Sequence, residues 1–307
     1  MIPKSFVSRL DSLLQSQLSF EEGGSPIDFT QPTGEEALAS PNSISWQIFR
    51  NPISLYIGGI TAVLMELAEP RVRTGVWEHT TFRVDPLRRM RRTGLAAMIT
   101  VYGGRSVAEK MISGVNRMHQ RIEGKTPSGI PYRADDPELL RWVHATALFG
   151  FMEAYDRFVY PLSAEQRDQF VAEGVPAADL YGAMNPPRSE SEMQAMFDAM
   201  LPNLESSEIV FEFLEILRKL SIFPRPLRPF NSLLIRAAVS LLPSQIREKL
   251  ELSEGFSVPP GGESILRLLG SQVDRLHLKS SPSSQACIRL GKPANHLLQK
   301  KQITEDI

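Results

Sequence analysis

The sequence predicts an all-α protein, built as a single multi-helix globular domain. Apolar residues recur every three or four positions through most of the 307-residue chain, which is the period of a helix with one buried face. Two helix starts carry an N-cap residue followed by proline, at Asn51-Pro52 and at Asp85-Pro86. No stretch alternates apolar and polar residues over the length of a strand, and no hairpin dipeptide joins two such stretches.

The periodic stretches place the helices in order along the chain. A weak apolar stripe covers residues 1–20, and the helix that begins at Pro52 ends at Pro70, where a short segment to His79 begins. A capping-box pattern at Ser163 and Gln166 marks a further helix start. By residue number, the other predicted helices are 86–102, 106–122, 137–160, 163–173, 189–201, 203–221, 228–242, 243–252 and 262–277, with a Pro/Gly loop at 125–132.

Two polar segments divide the chain into three parts. Residues 21–43 are rich in glycine, proline and serine, and residues after Lys279 are polar, so we expect a linker and a disordered or peripheral tail. The predicted parts are therefore an N-terminal helix with its linker (1–43), an all-α domain (44–278) and a polar C-terminal tail (279–307).

Charge and cysteine content exclude several classes of protein. With 34 basic and 35 acidic residues the net charge is −1, so we expect no nucleic-acid partner; the basic cluster at 83–92 is local. The single cysteine, Cys287, excludes an intramolecular disulfide framework, a multi-cysteine zinc site and covalent haem attachment through a Cys-x-x-Cys-His motif.

The longest mostly apolar, uncharged run is residues 53–65. A membrane-spanning helix needs about 20 apolar residues, so this run predicts a buried helix and no transmembrane segment. The N-terminus has no long apolar core and no small-residue cleavage site, so we see no secretory signal and expect the protein in the cytoplasm.

Candidate site residues begin with the helix at 86–102. Arg89 and Thr93 are four residues apart and share a face that the apolar pattern marks as inward, with Arg92 beside it. An inward guanidinium is costly unless it meets an anion or a polar ligand. Either Arg89 contributes to a binding site, or it pairs with a buried carboxylate such as Glu69 or Glu78.

Two histidines lie on apolar faces of consecutive helices, at His119 and His144. Either one alone is typical of a satisfied core histidine. Together with inward Arg89 and Thr93, the pair predicts a pocket with polar contacts in an apolar wall.

The glycine pair Gly58-Gly59 lies in the middle of a predicted helix, where glycine lowers stability. Such a pair indicates that something packs closely against the backbone, either another helix or a bound ligand. The sequence leaves both alternatives open.

Missing motifs narrow the choice of cofactor. The chain has no paired Glu-x-x-His, no His-Glu-x-x-His and no nucleotide-binding glycine loop. Haem b needs one axial histidine, a large apolar slot and basic residues for its propionates, and the chain has candidates for all three. By elimination, these features favour haem b as the cofactor.

The order of the motifs carries a resemblance. Residues 58–70, 75–79, 85–93, 118–119 and 136–146 resemble the haem-dependent oxygenase family that includes MpaB-type proteins and the latex-clearing rubber oxygenases. The resemblance covers roughly residues 45–250 and is tightest over 58–160. It implies an all-helical fold that binds non-covalent haem b between its central helices. The rubber-cleaving members split carbon–carbon double bonds with dioxygen, and MpaB-type members cleave a prenyl side chain.

The resemblance also assigns residues. Arg89, Arg92 and Thr93 match a family motif whose middle position is a lysine in rubber oxygenases, where it ligates the iron on its distal side. Arg92 stays protonated, so no such ligand is expected here. His119 matches the family's axial histidine and His144 a second histidine in or near the pocket, although the two could be exchanged.

One departure from the family lies before Pro70. Many MpaB-type sequences read Ala-His-Pro there, and this chain reads Ala68-Glu69-Pro70. Glu69 and Glu78 are then candidates for a general base, since a desolvated carboxylate has a raised pKa that suits proton transfer. A salt bridge from Glu69 to Arg89 or Arg71 is the structural alternative.

These observations predict a haem b-dependent oxygenase that acts with dioxygen on an apolar small molecule such as an isoprenoid. The first alternative is a helical protein that binds haem or a lipid-like ligand without turnover. The second is a structural or interaction module in which the arginines and histidines only complete a core.

Overall fold

The computed structural model describes residue 11 and residues 27–220, 228–252 and 255–298. Helices dominate this part of the chain, which confirms the all-α fold class. The helices are α1 Ile44–Ile48, α2 Pro52–Ala68, α3 Pro70–His79, α4 Pro86–Tyr102, α5 Arg105–His119, α6 Pro137–Phe158, α7 Ala164–Glu173, α8 Val175–Tyr181, α9 Glu190–Met200, α10 Glu208–Lys219, α11 Arg228–Leu241, α12 Ser244–Lys249, α13 Gly262–Asp274 and α14 Pro282–Arg289. The helix predicted at 1–20 lies outside the described residues except for Asp11.

Most helix starts lie where the capping residues predict them. The Asn51 side chain accepts hydrogen bonds from the backbone of Ile53 and Ser54 at the start of α2, and Asp85 accepts from Arg88 at the start of α4. The capping box at Ser163 is present in full at the start of α7.

A short hairpin stands where the sequence predicts a loop. Strands β1 (Glu123–Lys125) and β2 (Pro131–Arg133) are antiparallel, with Gly124 opposite Tyr132. Three residues are too few for an alternating pattern to be recognised, so the prediction of no strands is wrong here. The hairpin also ends α5 at His119, three residues before the expected end.

The core is centred on the crossing of α2 and α6. A Cβ atom added to Gly58 would lie 2.5 Å from the carbonyl oxygen of Gly150, so only glycine allows the two backbones to come this close. Of the two explanations for this glycine, the tight helix crossing is therefore confirmed. Helices α11 and α13 pack on both members of this pair, and α10 packs on α2.

A sharp bend joins α2 to α3. Glu69 ends α2 and caps α3, Pro70 follows at the first helical position, and the two helices are bent by 110°. Within the described residues, no single helix is long and apolar enough to cross a membrane, whereas this bent pair taken together has the length and composition to do so.

A buried ion pair ties the start of α2 to the end of α13. Arg50 Nη2 donates to Asp274 Oδ2 at 2.5 Å and to the Asp274 carbonyl oxygen at 2.9 Å. Asn51 Nδ2 adds a hydrogen bond to the carbonyl oxygen of Gly270 at 2.9 Å.

The segment after Lys279 is part of the core over residues 282–289, so the expectation of a disordered or peripheral tail is wrong there. In α14, Cys287 is fully enclosed, and buried Arg289 donates to the carbonyl oxygens of Glu35 at 2.8 Å and Phe29 at 2.9 Å. These bonds also hold part of the expected linker, in which Phe29 is buried. The eight-residue helix is too short for its apolar period to stand out in the sequence.

Candidate functional site

Helices α4 and α5 are thinly covered. Of the 17 residues in α4, only Ile99, Val101 and Tyr102 are buried, all near its C-terminal end, and α5 buries only Ala108 and Ile112. Helix α2, of equal length, buries ten residues. Several apolar side chains on both helices pack against the core and are only partly buried: Met90, Leu95, Ala97, Met98, Val107 and Met111. The two helices that carry most of the predicted site therefore offer apolar surface to a further group.

Arg89 on α4 lies near Glu66 on α2, which is not among the site residues predicted from the sequence. Burial lowers the pKa of Arg89, while the nearby carboxylate of Glu66 on α2 raises it and Arg92 lowers it further. Burial raises the pKa of Glu66 to about 7, against the opposing effect of the Arg89 charge. The carboxylate whose pKa the Arg89 charge affects is therefore Glu66, rather than Glu69 or Glu78.

A signal for Glu66 was present in the sequence. It is the only charged residue in α2, whose other sixteen residues are apolar, small or hydroxylic. A lone carboxylate in such a helix is rarely buried without a charged partner or a function.

His119 is the last residue of α5 and is half-buried. Burial is the main cause of a lowered pKa for His119. The positive charge of Arg89 lowers this pKa further, and the charge of Asp135 raises it. Its Nδ1 atom is enclosed and has no hydrogen-bond partner. Arg89 acts on both Glu66 and His119, so the structure brings together three ionisable groups from α2, α4 and α5.

His144 on α6 has different surroundings. Burial alone lowers its pKa to about 4, and its Nε2 atom is enclosed without a hydrogen-bond partner. A Cβ atom on Gly174 would lie 3.0 Å from this Nε2, so the ring edge faces the backbone between α7 and α8. His144 is therefore neutral at pH 7.

Glu69 is engaged by its own helix. One carboxylate oxygen accepts from Val72 N at 2.8 Å, as the cap of α3, and the other accepts from Arg71 Nε at 2.6 Å. The residue is buried, and the salt bridge is the one to Arg71. These contacts match the structural alternative to a general base for Glu69, which was a salt bridge to Arg89 or Arg71.

Glu78 lies on the surface at the end of α3. Its carboxylate accepts from the hydroxyl of Tyr132 at 3.3 Å, and the same hydroxyl lies 3.1 Å from Nε2 of His79. Tyr132 is buried and belongs to β2, so this contact holds the hairpin against α3.

The inward orientation predicted for Thr93 is wrong. Thr93 and Arg92 are both exposed, and the Thr93 hydroxyl donates to the carbonyl oxygen of Arg89 at 3.0 Å. None of the described residues packs over this turn of α4. The apolar pattern of the helix shows which residues share a face, but not whether another element covers that face. Arg92 reaches the site through its charge, which acts on Arg89.

The described part of the chain contains no group of three or more His, Cys, Asp or Glu side chains placed to hold a metal ion. A metal bound only by protein side chains is therefore not built into these residues. A metal carried by a cofactor such as haem needs only one protein ligand, for example a histidine, and does not require such a group.

Comparison with known proteins gives relatives and a family. Uncharacterized protein Mb2261 of Mycobacterium bovis and Uncharacterized protein Rv2237 of Mycobacterium tuberculosis are each 25% identical to the chain over 201 residues, which is 62% of this chain and 77% of theirs. No solved structure gives a significant match. A family model described as "ER-bound oxygenase mpaB/B'/Rubber oxygenase, catalytic domain" matches residues 46–273, about three quarters of the chain. The chain therefore belongs to the MpaB and rubber oxygenase catalytic-domain family.

Proposed function

We propose that the protein is a haem b-dependent oxygenase that uses dioxygen on an apolar small molecule such as an isoprenoid. One observation carries the proposal: half-exposed apolar faces on α4 and α5 lie beside His119, whose Nδ1 is buried without a partner. A flat, largely apolar cofactor would cover such faces and complete the core. Family membership supports an oxygenase activity.

The residues present fit a haem held by one histidine. Iron binds neutral imidazole, and the lowered pKa of His119 favours that form at pH 7. We assign His119 as the iron ligand, because it lies near the charge of Arg89, and His144, whose pKa responds to burial alone, to the pocket wall. Bound haem would supply the iron at which dioxygen is activated.

The positive charges suit the propionates of the cofactor. Arg89 is half-buried, and Arg92 is exposed one turn further along the same helix. A guanidinium forms paired hydrogen bonds with a carboxylate, so we assign both arginines to orient the cofactor. Thr93 fixes the local backbone of α4 through its bond to the Arg89 carbonyl.

Glu66 is the group we assign to proton transfer. A pKa of about 7 lets its carboxyl group both hold and release a proton near neutral pH. Glu69 and Glu78, the candidates from the sequence, each have structural partners. The charge of Arg89 keeps the Glu66 pKa from rising further.

Absorption spectroscopy tests the cofactor. The purified or haem-reconstituted protein should show a Soret band, which His119→Ala removes or shifts. The matched variant His144→Ala should keep the band position, because we place that residue in the wall. A protein that stays colourless after reconstitution, or a band unchanged in His119→Ala, contradicts the assignment.

Oxygen consumption tests turnover. With haem bound, uptake of dioxygen that depends on an added isoprenoid is the expected result, and Glu66→Gln should slow it without displacing the Soret band. Haem binding without substrate-dependent uptake across a panel of isoprenoids would instead favour the non-catalytic haem- or lipid-binding alternative. We place this activity in the cytoplasm and propose no nucleic-acid partner.

A further inference from the structure

Helix α13 has an exposed apolar stripe. The helix buries one face mainly against α2 and α6, through residues spaced four apart from Gly262 to Asp274. Ile265, Leu268 and Leu269 lie on another side of the helix and are 52%, 61% and 37% exposed. Residues three and four positions apart are neighbours on a helix, so these three side chains form one continuous surface, the outer stripe. Single exposed apolar residues are ordinary, whereas a continuous group of them indicates a contact surface.

The outer stripe leads to the junction of α13 and α14. Leu276 lies seven residues after Leu269, two turns further along the same side. The backbone N–H of Leu276 donates to the carbonyl oxygen of Val273 at 3.0 Å, which continues the turn past the end of the helix. Leu276 and Ser281 line one cavity of about 20 Å³, so the end of α13 and the start of α14 lie close together.

Asp11 is held at this junction. The backbone N–H of Ser280 donates to Asp11 Oδ1 at 3.0 Å, and the Ser280 hydroxyl oxygen lies 2.7 Å from the same atom. This hydroxyl also lies 3.1 Å from the Asp11 carbonyl oxygen. Gln285 Nε2 fixes Ser280 in turn through a hydrogen bond to its carbonyl oxygen at 3.0 Å. Residues 1–10, which directly precede Asp11, are therefore tethered next to the end of the outer stripe.

The sequence of residues 1–10 suits an apolar contact. Five of these ten residues are apolar, and Ile2, Phe6 and Leu10 are spaced four apart, which is the spacing of one helix face. A helix rises about 1.5 Å per residue, so ten residues would span about 15 Å, enough to run the length of the outer stripe. Only two of residues 299–307 are apolar, so that end of the chain suits this surface less well.

We propose that residues 1–10 pack along the outer stripe of α13, with their apolar side chains covering it and the contact between Asp11 and Ser280 holding the segment in place. The occupant of this surface is therefore part of the same chain. None of the residues assigned to the haem takes part in the contact, so this proposal stands or fails independently of the proposed function.

Disulfide trapping tests the contact in the full-length protein. The single cysteine, Cys287, is fully enclosed, so two introduced thiols react with each other. Phe6→Cys combined with Leu268→Cys should form an intramolecular disulfide on mild oxidation, measured as loss of both thiols in a protein that stays monomeric.

Phe6→Cys combined with Ile130→Cys is the matched control. Ile130 is 50% exposed, but it lies in the hairpin that precedes the start of α6, whereas α13 packs on the end of α6 at Phe158. This control pair should keep both thiols free.

Trypsin cleavage after Arg9 is a second measurement, because a docked segment must detach before the protease can cleave it. Leu268→Glu should speed this cleavage by about 10-fold, as expected when one apolar contact is lost. Leu268 is exposed in the described structure, so its replacement should leave the fold intact. Ile130→Glu is the matched control and should leave the cleavage rate unchanged.

Equal disulfide yields in the two cysteine pairs, or a cleavage rate that Leu268→Glu does not change, would overturn the proposal. Disulfide-linked dimers of Leu268→Cys alone would also overturn it, because they would show that a second copy of the chain covers the outer stripe. Both experiments can be performed without haem, so their results are separate from those of the Soret measurements.

Discussion

Replacing Glu66 by glutamine should remove a pH dependence from folding stability. Burial raises the pKa of Glu66 from 4.5 to about 7, so the folded protein holds this proton more tightly than the unfolded chain does. The resulting contribution to stability is fully present below about pH 4.5. It is lost as the pH rises through about 7, where the buried carboxyl group must ionise.

The magnitude follows from the two pKa values. One pKa unit corresponds to about 1.4 kcal/mol, so the whole contribution of Glu66 is about 3 kcal/mol. Most of it is still present at pH 5 and almost none at pH 8. Glutamine has nearly the same shape and does not ionise, so Glu66→Gln should gain about 2 to 3 kcal/mol relative to the wild type between these two pH values.

Urea unfolding of both proteins at pH 5 and pH 8, in the same state of cofactor loading, measures this change. Other groups that titrate over this range affect both proteins equally and cancel in the difference. Exposed Glu78, replaced by glutamine, is the matched control and should show no such gain. A difference between wild type and Glu66→Gln that stays constant from pH 5 to pH 8 would refute the raised pKa and the proton-transfer role based on it.

Three further predictions concern the scaffold and are each measured by urea or thermal unfolding. Gly58→Ala should lower the free energy of unfolding by about 1 to 3 kcal/mol, because the new methyl group meets the Gly150 carbonyl oxygen at 2.5 Å. Gly94→Ala is the control: no atom lies within 4 Å of its added group, so it should raise the free energy of unfolding by about 0.5 to 1 kcal/mol. Asp274→Ala should cost about 3 to 5 kcal/mol, because it leaves the Arg50 charge buried and unpaired. Glu69→Ala should lower the free energy of unfolding by about 1 to 2 kcal/mol, because α3 loses its cap, and should leave any Soret band in place. A lost band with unchanged stability would contradict the structural role of Glu69.

Much of the helical framework could be predicted because its signals are local. N-cap residues such as Asn51, Asp85 and Ser163 satisfy the first backbone N–H groups of their own helices, so the sequence around them is sufficient. The two strands pair with each other but have only three residues each, and α14 is short and depends on partners far away in the chain. Arg289, for example, bonds to residues more than 250 positions earlier, and no local pattern records that contact.

The candidate site was harder to predict. Helical periodicity shows which way a side chain points, but not which residue of another helix it contacts. The inward orientation of Arg89 agrees with its proximity to Glu66 and His119, which lie on other helices. The same periodicity suggested Thr93, yet whether a helix face is covered depends on what packs against it. Glu69 has local partners, the Val72 N–H that it caps and Arg71, which the sequence already offered as the structural alternative. The contact between Glu78 and the hairpin joins residues 54 positions apart and appears only in three dimensions.

Whether His119 holds haem iron beside the partly exposed apolar faces of α4 and α5 is measured by the Soret band of haem-reconstituted protein. The wild type and His144→Ala should show the same band, and His119→Ala should lose or shift it. No band in the wild type, or a band altered by His144→Ala and not by His119→Ala, would contradict the assignment of His119.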